Sequence, residues 1–156
     1  MPDAEAPTPQ QTADRVREGM FRNDRASKWL GMQIVEVTPG RAVLAMTVRD
    51  EMLNGHDICH GGLITTLADS AFAFACNSYN ELTVASSLTV DFIAPVRGGD
   101  VLTARAAEVS LSGRTGVYDV EVSNQNGVRV AVFRGRSYRM KGKPVVALTD
   151  LPISAS

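Results

Sequence analysis

Histidine and cysteine are scarce in this chain, at two of each in 156 residues. Two cysteines cannot form the disulfide framework of a small secreted scaffold, so Cys59 and Cys76 read as reduced thiols. Neither sign of charge prevails: the net charge is −1 and no block is strongly basic or acidic. Nucleic acid and membrane surfaces are therefore poor candidate partners. No apolar run approaches the ~20 residues that span a bilayer. The first residues, MPDAEAPTPQQ, have neither the basic n-region nor the apolar h-region of a signal peptide. A cytoplasmic location is expected.

What is present fits one domain. Residues 1–11, rich in Pro, Ala, Thr and Gln, read as a disordered arm, residues 12–143 as a single domain and 144–156 as a tail. Across residues 14–30, Val16, Met20 and Phe21 recur near helical spacing and Gly31 follows as a stop, which predicts a short capping helix. Residues 32–37 and 41–48 are β-rich and divided by the turn Pro39-Gly40. The stretch LITTLADSAFAFACNSYN is Ala-rich and free of Gly and Pro, and predicts a long helix. Four further strands are expected at 83–93, 101–111, 116–123 and 128–139, separated by PVRGGD, LSGR and NQNG, and they read as an antiparallel meander. One long helix against about six strands is an α+β domain.

On a helix at about 100° per residue, Ile64, Leu67, Ala68, Ala71, Phe74 and Ala75 form one apolar stripe, with Asp69 nearly opposite. Its neighbours on that side are Thr65, Thr66, Phe72, Ala73 and Cys76, and no Lys, Arg or Glu occurs from residue 63 to residue 80. A helix so apolar all round is covered on both sides. One sheet covers one side, so a second subunit is expected on the other. A carboxylate enclosed there needs a partner or a chemical task, because burying it unpaired costs several kcal/mol or raises its pKa.

Both histidines, Cys59 and a Gly pair lie within NGHDICHGG, residues 54–62. A helix starting near His60 or Gly61 would aim its free N–H groups at an anion or a developing oxyanion. Gly61 and Gly62 let a ligand approach the backbone closely, and Asn54 offers an amide donor and acceptor. A backbone oxyanion donor followed by one carboxylate suits acyl transfer, with Gly61 polarising a carbonyl while Asp69 delivers water or attacks. Zinc ligation by His56, Cys59 and His60 is disfavoured, because Gly55 and Gly61-Gly62 interrupt a helix across both histidines and no second cluster completes the set. A lone Gly pair also lacks the Walker or dinucleotide pattern of a phosphate cradle. No metal and no cofactor are expected.

HGG followed by ADSAFAFACN, then VASSLTVDFIAP, GRTGVYDVEV and VAVFRGRSYR, resembles the hotdog-fold acyl-CoA thioesterases of the PaaI type, associated with phenylacetate catabolism. The resemblance covers roughly residues 25 to 140. It implies a long helix wrapped by a curved antiparallel sheet, dimers joined edge to edge and usually paired into tetramers, and active sites shared between subunits. It implies an acyl-CoA substrate such as phenylacetyl-CoA or hydroxyphenylacetyl-CoA. By the same match, Asp69 stands at the catalytic carboxylate, Gly61 at the backbone oxyanion donor and Asn54 at the residue that orients the thioester or the water. His60 matches the motif histidine, with a structural hydrogen bond and a substrate contact both open. Gly62, Phe72 and Ala73 complete the expected substrate-binding set. Among the later cations Arg97, Arg114, Arg134, Arg136, Arg139, Lys141 and Lys143, Arg114 in SGRTG is singled out for the CoA phosphates. A non-enzymatic acyl-CoA-binding or sensing module on the same fold is the alternative, and such a module would have no need of Asp69.

Overall fold

The computed structural model describes residues 5–147. Helix α1 (Pro9–Arg22) begins earlier than the composition suggests. Thr8 Oγ1 accepts from Gln11 N at 3.1 Å and Gln11 Oε1 accepts from Thr8 N at 2.9 Å, with Pro9 in the first turn. This reciprocal cap supplies the missing partners of a helix start. It corrects the expected arm, which would have run to residue 11; residues 1–4 lie outside the described residues. The single helix expected over 14–30 is also two. Asp24 opens α2 (Arg25–Trp29), its Oδ1 accepting from Ser27 N at 3.0 Å.

Strands β1 (Gln33–Thr38), β2 (Arg41–Thr47), β3 (Thr83–Phe92), β4 (Val101–Ser112), β5 (Thr115–Ser123) and β6 (Arg129–Arg139) form one antiparallel sheet in the order β1-β2-β4-β5-β6-β3. The expected four-strand meander holds for β4, β5 and β6 only. The long helix α3 (Gly61–Asn77) carries the chain across the sheet, so β3 lands at the far edge beside β6 and β4 returns to pair with β2.

The predicted stripe of α3 is buried, and so are Phe72 and Cys76, which the helical wheel placed beside Asp69. The Phe72 ring packs 5.5 Å from Tyr118 and 5.8 Å from Phe133. It can do so because position 135 is glycine: a Cβ there would lie 2.9 Å from Phe72 Cζ. The chain's own N-terminal helices cover part of the opposite side of α3, where Ser27 Oγ meets Ser70 Oγ at 3.2 Å. Some of the cover expected from a second subunit is thus supplied within the chain.

The two edges of the sheet differ. Along β1, Gln10 Nε2 donates to Val37 O at 2.9 Å and Arg17 Nη2 donates to Ile34 O at 2.6 Å, so side chains of α1 close that edge. Nothing among the described residues pairs with the outer edge of β3. Its ten residues are almost all exposed, and they include Val84, Leu88 and Phe92.

Candidate active site

The NGHDICHGG segment folds as a tight loop. Asn54 N donates to Ile58 O at 2.8 Å, His60 N to Met52 O at 2.8 Å and Cys59 N to Val96 O at 2.8 Å. Asn54 Oδ1 accepts from His56 N at 2.9 Å. The group Asn54 can offer a ligand is therefore its Nδ2–H2 donor.

His60 is the N-cap of α3, its Nδ1 accepting from Gly62 N at 3.2 Å while its carbonyl accepts from Leu63 N at 2.9 Å. This gives His60 a structural role and consumes the Gly62 N–H. Gly61 N–H is a first-turn donor that no acceptor among the described residues takes, at the positive end of the helix. A Cβ at Gly61 would lie 2.8 Å from Phe92 Cζ, so a side chain there would have to push the exposed Phe92 ring aside. Asn54 and Gly61 share a cavity of about 460 Å³ whose other walls include Ile58, Phe92, Ile93 and Val96.

Asp69 lies elsewhere. It opens into a second cavity of about 380 Å³ with Phe72, Ala73, Cys76, Val84 and Ala85. The carboxylate is half-buried, and no donor of the described residues bonds it. Burial pushes its pKa above the usual value. Burial also pushes the Cys76 thiol up to about 12, with the charge of Asp69 adding to the effect, so that thiol stays protonated. In a regular helix the eight steps from Gly61 to Asp69 rise about 12 Å. A carbonyl held by Gly61 N–H is thus out of reach of the carboxylate of the same chain.

Arg114 lines neither cavity. It sits in the β4–β5 turn, where its Nη1 donates to Arg139 O at 3.4 Å. Arg134 is engaged by both carboxylate oxygens of Asp119 at 2.7 and 2.8 Å. Among the described residues no cluster of three or more His, Cys, Asp or Glu could hold a metal ion, and no helix is long and apolar enough to cross a membrane.

This fold and this loop have known counterparts. A family model described as the thioesterase superfamily matches residues 56–131. The acyl-coenzyme A thioesterase PaaI of Escherichia coli K12 is 50% identical over 123 residues, covering 79% of this chain and 88% of that protein. This chain belongs to the thioesterase superfamily. It is a PaaI-type hotdog thioesterase, as the solved structure of the E. coli PaaI protein from the phenylacetic acid degradation operon also shows: TM-score 0.85, 46% identity, 87% of this chain and 99% of that one. The structure of smu.793 from Streptococcus mutans UA159, bound to acetyl-CoA, is similar at a TM-score of 0.69 and 25% identity, over 72% of this chain and 90% of that one.

The structure thus brings Asn54 and Gly61 of the thioesterase together, and sets Asp69 apart with Ala73 and the edge of Phe72. Met20, Val145 and the two ends of β3 line these cavities without having been expected there. Exposed apolar side chains along a strand with one free edge are the signal that points to β3.

Proposed function

We propose that this protein hydrolyses acyl-CoA thioesters to the free acid and CoA in a site shared by two subunits, with aryl-acetyl groups such as phenylacetyl or hydroxyphenylacetyl preferred. The observation that carries the reading is the placement of the two cavities at opposite ends of β3. Thr83, Val84 and Ala85 border the Asp69 cavity, and Phe92 and Ile93 border the Gly61 cavity. If two copies pair antiparallel through β3, the Val84 end of one meets the Phe92 end of the other. Asp69 of one chain then approaches Gly61 and Asn54 of its partner, which one chain cannot achieve alone. The pairing also closes a long apolar strand edge that would otherwise invite uncontrolled association.

In this site the thioester oxygen accepts from Gly61 N–H, and from the Asn54 amide as negative charge develops. Asp69 either takes a proton from the water that attacks the carbonyl carbon or attacks that carbon itself, giving an acyl-enzyme anhydride that water then hydrolyses, and in either route it works ionised. The C–S bond breaks, CoA leaves as thiolate and takes up a proton, and water supplies the hydroxyl of the acid. The E. coli relative named for acyl-coenzyme A thioesterase activity and the phenylacetic acid operon support this substrate class. The unpaired carboxylate favours an enzyme over a sensing module, which would gain nothing from it.

Thiol release from a panel of acyl-CoAs tests the reading. Asp69→Asn should assemble and bind substrate while kcat falls by about 10²–10⁴ and KM changes little. Near-normal turnover in Asp69→Asn would end the proposed chemistry.

A further inference from the structure

Two walls of the Asp69 cavity come from segments far from α3 in sequence. Met20 projects from α1, and Val145 belongs to the stretch that follows β6. Both lie outside residues 56–131, the part matched by the superfamily model. The stretch carrying Val145 is held in place. Asn80 Oδ1 accepts from Val145 N and Val146 N, both at 3.0 Å, and Asn80 Nδ2 donates to Val146 O at 3.0 Å. Leu82 N donates to Lys143 O at 2.8 Å and Met140 N donates to Leu82 O at 2.7 Å. Asn80 has a φ of 61°, a left-handed conformation that asparagine tolerates better than most residues and that aims its amide locally.

We propose that these terminal segments set which acyl groups the enzyme accepts. Met20 and Val145 form the wall facing the acyl group, and Asn80 is a positioning residue that fixes Val145. The inference rests on the acyl-CoA reading above. It follows from the chemistry of the lining: besides Asp69, and besides Asn77 and Thr83, whose polar groups are bonded within the chain, this cavity is bordered by apolar side chains such as Leu82, Val84 and Ala85 together with Met20 and Val145. A pantetheine arm carries amides and needs an exit to solvent for its phosphates, whereas an acyl group needs neither. A volume of about 380 Å³ is near the low end of the ~300–1,000 Å³ of small-molecule pockets, so wall position limits acyl size. Methionine is the residue best able to adjust such a wall to different acyl shapes.

The test compares kcat/KM for acetyl-, phenylacetyl- and decanoyl-CoA in wild type, Met20→Ala, Val145→Ala, Val145→Phe, Asn80→Gly and Asn80→Asp, with a thermal melt on each. Met20→Ala and Val145→Ala should raise the decanoyl-to-phenylacetyl ratio about tenfold, the usual effect of freeing or filling a few methylenes in a pocket. Val145→Phe should lower phenylacetyl turnover by a similar factor and spare acetyl-CoA. Asn80→Gly keeps the backbone conformation but loses the three hydrogen bonds, and should shift the ratio as Val145→Ala does. Asn80→Asp keeps both acceptor bonds but turns an acceptor oxygen toward Val146 O, and should shift the ratio in the same direction as Asn80→Gly. Wild-type ratios in Val145→Ala and Met20→Ala, with melting temperatures unchanged, would overturn the inference while leaving the thioesterase reading standing. A wild type that releases no thiol from these three substrates would overturn both.

Discussion

The sheet has one finished edge and one unfinished edge. At β1, Arg17 and Gln10 reach down from α1 to the carbonyls of Ile34 and Val37. At β3, a strand of ten residues presents Val84, Leu88 and Phe92 to solvent with nothing among the described residues laid along it. The same chain therefore has the means to close an edge and applies it to one side only. The open side is also the side whose two ends border the cavities of Asp69 and Gly61. On the proposed reading, closing it with the chain's own helix would keep Asp69 and Gly61 permanently apart.

A lysine on each edge puts the difference to the sharpest test, because a charge on an edge strand blocks strand addition. Leu88→Lys on β3 should give a monomer by light scattering and lower thiol-release activity on the order of 10²-fold, the lower range expected when a catalytic group is withdrawn. Val35→Lys on β1, a position also exposed, should change neither mass nor turnover. Equal loss in both variants would dissolve the distinction between the edges.

Mixing offers a second test. Asp69→Asn and Asn54→Ala should each be inactive as homodimers. Refolded together in equal amounts, half of the dimers pair unlike chains and carry one intact site of two, which returns about a quarter of wild-type activity. Absence of recovery would place the whole site within one chain.

On the closed edge the effect is on stability. Arg17→Ala removes a charged donor from the Ile34 carbonyl and should cost about 1.5–3 kcal/mol in a denaturant melt, with assembly unchanged.

The smallest effect concerns Asp69 itself. Its pKa is raised in the folded state by burial, so folding favours the protonated acid. That stability is fully present below the unfolded pKa and is lost as pH rises through the raised folded value. At neutral pH the ionised group is thus a burden on the fold, and Asp69→Asn should melt slightly higher than wild type there, the gap shrinking as pH falls below the ordinary carboxylate range. A lower melting temperature at neutral pH would assign Asp69 a structural bond instead.

Much of this was legible in the residues. The glycines of NGHDICHGG and the lone carboxylate of α3 marked the two candidate cavities, because each breaks the pattern around it. The start of α1 was written in Thr8 and Gln11 as a capping box, yet the Pro-rich composition around it argued for an arm. The break at Asn23 was less visible, since the apolar spacing continues through it and only the Asp24 cap interrupts. Strand order could not be read, because an alternating pattern says a strand is half-buried without saying beside which strand it lies. Phe72 was misplaced for a related reason. A helical wheel assumes one covered face, while the curved sheet and Gly135 wrap far enough round α3 to bury the flank beside Asp69. Met20 and Val145 carry no pattern of their own; only the folded chain brings its two ends to one cavity.

The unfinished β3 edge has a consequence in mass action. If each site is assembled from two chains, as proposed, turnover per chain depends on how much protein is present. Dilution below the dimer dissociation constant would then silence catalysis, and each fourfold dilution in that regime would cut the assembled fraction about fourfold. Abundance would then act as a threshold on the reaction, with no effector molecule required.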